Sequence, residues 1–227
     1  GEGMSAVSIG GDVLHLLTFV AMGFSSAGQV LISRDVGAKR MDAVRKTIGT
    51  MFTFLLGISV VISVGCYFIR NLMLDLLNTP AESYAFTMDY TVTCIFGLFF
   101  IYGYNIVSAI LRGMGDSKHP FMFIAIASVL NLVLDLLFVG PMQMGPRGAA
   151  LATVLSQAAS AVWVVSFLCS KHSVLRISLP DLRPRADMIG RIASLGISPF
   201  IMQITESAIS LVLNNGLQTY GGDLYVG

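Results

Sequence analysis

Asn131 and Asp135 stand four residues apart inside an apolar run, 121–139 (FMFIAIASVLNLVLDLLFV). On a helix that spacing puts both side chains on one face. A run of about 20 apolar residues is long enough for a helix to cross a bilayer. A carboxyl at the centre of such a helix costs about 2.5–3.5 kcal/mol on insertion scales. Acids kept at that cost face protein or water and usually mark ion or proton pathways. Asp135 therefore reads as a group that binds and releases a cation, with Asn131 one turn away to donate to it or accept from it. The competing reading is structural: a carboxyl hydrogen-bonded to neighbouring helices.

Glu206 is the second candidate, the one acid in the body of the run 192–218. It follows Pro199 by seven residues, and a proline inside a helix removes a backbone hydrogen bond and tends to kink it. A kink beside an acid makes a cavity wall, to which Gln203, Asn214 and Asn215 add polar groups. Glu206 reads as a site for a proton or sodium, as a carboxylate facing a substrate, or as a structural acid. Sodium at Glu206 is the one metal the sequence suggests. In 148–169, Ala149, Thr153, Gln157 and Ala161 recur every fourth residue. Small residues at that spacing let helix backbones approach, and Thr153 and Gln157 are long or polar enough to reach a cavity as well. Asn105, with Tyr102 and Tyr104, either lines a cavity or bonds across helices. His15, Gln29 and Asp89 are weaker candidates.

These side chains need helices to hold them, and the composition supplies those. Of 227 residues 55% are hydrophobic and 12% charged, about half the charged share of soluble domains. The chain reads as an all-α, polytopic membrane helix bundle with six spans, near 13–33, 48–69, 86–111, 121–139, 148–169 and 192–218. Alternating the loops between two sides places twelve of the fourteen Lys and Arg on one side and only Arg70 and Arg147 on the other. The positive-inside rule makes the rich side cytoplasmic, so 121 is inner, 139 is outer, and both ends of the sequence are expected outside. Asp135 then lies about 6 Å of helix rise from the outer end of its span. The sequence reads as part of a longer protein. Cys66, Cys94 and Cys169 lie in apolar runs without metal-ligand spacing and read as packing residues. No Gly-x-Ser-x-Gly elbow or His-Glu-x-x-His motif is present, and 112–116 (RGMGD) lacks the Gly-Lys-Ser/Thr ending of a phosphate loop. It reads as a tight turn. An enzyme and a nucleic-acid partner are not expected.

In combination these stretches resemble the multidrug and toxic compound extrusion (MATE) family. The residues that carry the resemblance are 111–120 (LRGMGDSKHP), 131–135 (NLVLD), 145–153 (GPRGAALAT) and 29–38 (QVLISRDVGA), with Ser198-Pro199, Asn214-Asn215 and 220–223 (YGGD). The resemblance implies twelve helices in two six-helix lobes, of which this chain supplies about helices two to seven. Residues 1–169 would be five helices of the N-terminal lobe, 170–191 a cytoplasmic linker, and 192–227 the first helix of the C-terminal lobe. It implies export of small, cationic, amphipathic compounds from the cell (plasma) membrane in exchange for protons or sodium, with no other cofactor. Asp135 would be part of the family's acidic pair, with Asn131 and Thr153 beside it. Glu206 resembles the seventh-helix acid of sodium-coupled members. Gln157, Gln203, Asn105 and Tyr102 would line the substrate cavity. The alternative is a lipid-linked oligosaccharide flippase of the same broad superfamily. Such cavities tend to be basic, and no Lys or Arg falls in the body of any span here. Oligomeric state is left open.

Overall fold

A computed structural model describes residues 2–76, 79, 82–169 and 182–221. These residues form six helices, α1 Glu2–Gly37, α2 Met41–Leu76, α3 Tyr84–Gly113, α4 Lys118–Val139, α5 Gly145–Cys169 and α6 Ala186–Gly221, and among them there is no strand. The six expected spans correspond one to one with these helices, each of which runs beyond its apolar segment at one end or both. Five of them (α1, α2, α3, α4 and α6) are long and apolar enough to cross a membrane. Most of the linker expected at 170–191 lies outside the described residues, and α6 begins at Ala186, inside that stretch.

The central helix is α3, which packs against α1, α2 and α5, while α4 leans chiefly on α5 and α6 lies along α1. Leu98, Tyr102, Ile106 and Ile110 of α3 are fully buried against Ile32, Ile48, Met51 and Leu55 of α1 and α2. Two hydrogen bonds fasten the centre. The Tyr102 hydroxyl donates to the Leu17 carbonyl of α1 at 2.9 Å, and the Ser63 hydroxyl of α2 donates to the Ile95 carbonyl at 2.9 Å. Inside a bilayer a carbonyl without water needs such a donor or its own helix.

The run 112–116 is the tight turn that joins α3 to α4, and each polar or small residue in it has a mechanical task. Arg112 Nε donates to Gln29 Oε1 of α1 at 3.0 Å. At Gly113 a Cβ would sit 2.9 Å from the Gln29 carbonyl oxygen and 3.0 Å from Ile32 Cβ, so only glycine lets the end of α3 meet α1. Gly115 has φ +88°, a left-handed conformation that side chains resist. Asp116 Oδ1 then accepts the His119 backbone N–H at 3.1 Å in the first turn of α4, and Asp116 Oδ2 pairs with His119 Nδ1 at 2.5 Å. The motif thus fixes the start, and with it the rotation, of the helix that carries Asn131 and Asp135. The α1–α2 turn is closed in a similar way: buried Asp35 accepts from Arg40 at 2.7 Å.

Candidate functional site

Asn131 of α4, Thr153, Ser156 and Gln157 of α5 and Tyr104 of α3 line one cavity of about 230 Å³, with Ile124, Ala127 and Ser128 completing its wall. The Tyr104 hydroxyl, Asn131 Nδ2, Gln157 Oε1 and, one turn beyond Asn131, Asp135 Oδ1 are buried atoms with no hydrogen-bond partner among the described residues. A buried polar group left unpaired costs roughly 1–3 kcal/mol. Three of them, the Tyr104 hydroxyl, Asn131 Nδ2 and Gln157 Oε1, belong to residues that line this one small space and make it a place for water, an ion or the polar end of a ligand, not a sealed packing defect. The volume sets a limit too. It is below the roughly 300–1,000 Å³ of pockets that enclose a drug-sized ligand, but holds several waters at about 30 Å³ each.

The position of these side chains follows from local sequence. On α4 the spacing of Asn131 and Asp135 stacks them on the face that meets α5. On α5, Ala149, Thr153 and Gln157 lie on the face that meets α4, and the small residues between them keep the helices close. Thr153 Oγ1 donates to its own Ala149 carbonyl at 3.1 Å, which leaves its lone pairs for a guest in the cavity. The wall contains no Lys or Arg.

Tyr90 belongs to this site, and sequence reading missed it. Buried on α3, it neighbours Cys94 and Thr153 and lies within electrostatic reach of Asp135. Its ring rests on Gly10 of α1, where a Cβ would overlap it. A signal did exist: Thr87, Tyr90, Thr91 and Cys94, at the spacing of one helix face, are all buried, and the Thr91 hydroxyl is also without a partner among the described residues. The polar groups thus form a track, from Tyr90, Asp135 and Thr153 near one end of the bundle to Asn131, Gln157 and Tyr104 deeper in.

The structure does not bring all the expected residues together. Tyr102 is fully buried between α3 and α1, where its hydroxyl holds the Leu17 carbonyl, so it does not line the cavity. Asn105 donates to the Ile101 carbonyl of its own helix at 2.8 Å and is also outside the cavity wall. Glu206 and Gln203 lie on α6, which packs on α1 and α2 and, among the described residues, meets neither α4 nor α5. Glu206 is exposed there, so it and Asp135 do not form one cluster. Around Glu206, Ile201, Met202, Ile204 and Ile209 are exposed as well, so this face of α6 is turned away from the helices it packs on. The helix continues unbroken through Pro199. The side chains of Asn214 and Asn215 lie outside the described residues. Among the described residues no three His, Cys, Asp or Glu side chains group as a metal site would.

Residues 1–137 match MatE. The chain belongs to the MatE family. Over 215 residues this MatE chain is 31% identical to the probable multidrug resistance protein YpnP of Bacillus subtilis, covering 95% of the chain and 48% of that protein. Over 220 residues it is 26% identical to the multidrug export protein MepA of Staphylococcus saprophyticus, covering 96% of the chain and 48% of MepA. The chain spans about half the length of the curated relatives it matches. Its fold is that of solved MATE transporters of the MOP superfamily. An outward-facing conformation matches with a TM-score of 0.89 at 24% identity, covering 98% of this chain and 52% of that one. An inward-facing conformation matches with a TM-score of 0.88 at 24% identity, covering 97% and 50%. The family resemblance carried by 111–120, 131–135 and 145–153 is thereby borne out, as is the all-α membrane bundle. The chain is a multi-pass membrane protein.

Proposed function

We propose that this MatE chain is part of a secondary active multidrug efflux transporter of the plasma membrane, which exchanges protons or sodium for cationic, amphipathic compounds by alternating access. The observation that carries the reading is Asp135, a half-buried carboxylate whose Oδ1 is buried without a partner among the described residues, one helix turn from a cavity lined with unpaired polar atoms and no cation. Such a carboxylate holds one positive charge at a time. Bound to an organic cation it is neutralised by its cargo. Bound to a proton or sodium it has no attraction left for that cargo, which is released. The relatives named for multidrug resistance and export support the substrate class.

In this reading the lysine- and arginine-rich end of the bundle is cytoplasmic, both ends of the sequence are extracytoplasmic, and α1–α5 belong to one lobe while α6 begins the other. The cavity at α4–α5 is too small for the whole substrate, which would lie between the lobes with its charged end toward Asp135. In this reading Glu206, exposed on α6, would serve as a second carboxylate, of the kind sodium coupling uses. The lipid-linked sugar flippase is disfavoured because a pyrophosphate needs cations and the cavity wall has none.

The test is transport by the complete protein in vesicles loaded with a fluorescent organic cation such as ethidium. Imposing a proton gradient and a sodium gradient separately should drive efflux with at least one of them. Efflux that needs neither gradient, or none of the cation moved under either, overturns the reading.

A further inference from the structure

The basic end of the bundle holds a second cavity, of about 550 Å³, between the α1–α2 turn and the start of α6. Lys39, Arg40, Lys46 and Arg185 line it together with Asp42 and Asp187. A neighbouring cavity of about 450 Å³ shares Asp187 and adds Arg34 and Arg191. One further carboxylate lies close: Asp35, 4% exposed, which takes Arg40 at 2.7 Å and faces Arg34 at 3.7 Å. Six cations against three carboxylates leave an excess of positive charge, gathered in a concave site by three separate pieces of chain. Like charges held that close raise the energy of the empty site, and an anion relieves it.

Two observations say which anion. The cavities lie where α1 ends, where α2 begins and in the first turns of α6, which is headgroup depth for a bundle whose helices cross the membrane; basic pockets between helices at that depth suit lipid headgroups. The second cavity also has apolar walls, Leu31 and Leu195, the latter 45% exposed, next to Val30 at 56%. A soluble anion has no use for that wall, whereas an acyl chain does. We infer that the groove between the α1–α2 turn and α6 binds the phosphate headgroup of an anionic phospholipid, with Lys46 and Arg185 as its facing cations. A headgroup there bridges α1–α2 to α6 above the Thr47–Met188 contact and stabilises their packing. This inference needs only the membrane setting and stands apart from the transport reading.

The experiment uses the complete protein in detergent. Phosphatidylglycerol, phosphatidylcholine or inorganic phosphate at matched phosphate concentration is added, with thermal unfolding and native mass spectrometry as readouts. Phosphatidylglycerol should raise the unfolding midpoint of the wild type more than phosphatidylcholine does, and inorganic phosphate should not. Lys46→Gln/Arg185→Gln should retain several-fold less phosphatidylglycerol and lose most of that rise. Arg70→Gln, at the opposite end of the bundle, should retain as much as wild type. Should the double variant fail to fold, Arg185→Gln alone, at a residue exposed to solvent, should show the same direction with a smaller loss. Equal retention by the variants and the wild type overturns the site, and an equal rise with inorganic phosphate overturns the lipid in favour of a free anion.

Discussion

Asp135→Asn in the complete protein is expected to reduce export of organic cations to the background of cells that lack the transporter, while leaving its abundance in the membrane unchanged. Asparagine keeps the volume of the side chain and much of its hydrogen bonding. It cannot carry the negative charge that attracts the substrate, nor bind the ion that displaces it. The measurement is ethidium efflux from cells, with membrane abundance followed by immunoblot. The outcome separates the two readings of this residue. A structural carboxyl would betray itself as loss of protein, because removing one partner from a buried network costs stability. A coupling carboxyl shows as loss of turnover by a protein that is still made. Unchanged efflux at normal abundance contradicts the account.

Gly23→Leu should be the most damaging change away from the cavity. At Gly23 of α1 a Cβ would sit 2.9 Å from Phe200 Cβ and 3.0 Å from Phe200 Cα on α6. The contact is with backbone and cannot be relieved by turning a side chain. Phe24 stacks on Phe200 next to it, with ring centroids 6.2 Å apart, so one insertion pushes α6 off α1 over its packed half. Overpacking of this kind costs roughly 1–3 kcal/mol. We expect a lower midpoint of thermal unfolding in detergent and loss of efflux, since α6 is held chiefly by α1. Gly57→Ala on α2 is the control: no atom lies within 4 Å of the Cβ it would add, and alanine is the better helix former by about 1 kcal/mol. Its midpoint should stay the same or rise. A Gly23→Leu protein as stable and active as wild type would mean that the α1–α6 contact is dispensable.

How far the sequence showed this structure depends on which physical signal each feature leaves. Helix number and order were legible because six apolar runs, separated by charged or Gly- and Pro-rich segments, leave little choice in a bilayer. The shared face of Asn131 and Asp135 on α4, and that of Thr153 and Gln157 on α5, were legible because polar residues are expensive there and so stand out. Tyr90 and Tyr102 show where that signal ends. Both are tyrosines on α3, but one reaches the polar track and the other fastens α3 to α1. Only the polar neighbours of Tyr90 at helix-face spacing, Thr87, Thr91 and Cys94, hint at the difference; otherwise lipid and protein interior are alike apolar, and a helix has no wet face to give its rotation away. Glu206 was singled out for the same reason as Asp135, yet it lies on α6, apart from α4 and α5. Spacing within one helix shows which residues share a face, whereas which helices meet is set by glycine contacts such as Gly113 on Ile32, which have no periodicity to read.

The central claim is that Asp135 is the carboxylate for which organic cation and coupling ion compete. Equilibrium binding of ethidium to the purified complete protein, titrated against pH at fixed sodium and against sodium at fixed pH, tests it most directly. Protonation or sodium binding neutralises Asp135, so affinity in the wild type should fall as the concentration of the coupling ion rises. In Asp135→Asn that dependence should vanish, leaving weak, ion-independent binding. The same dependence in both proteins would contradict the account and move the coupling site elsewhere.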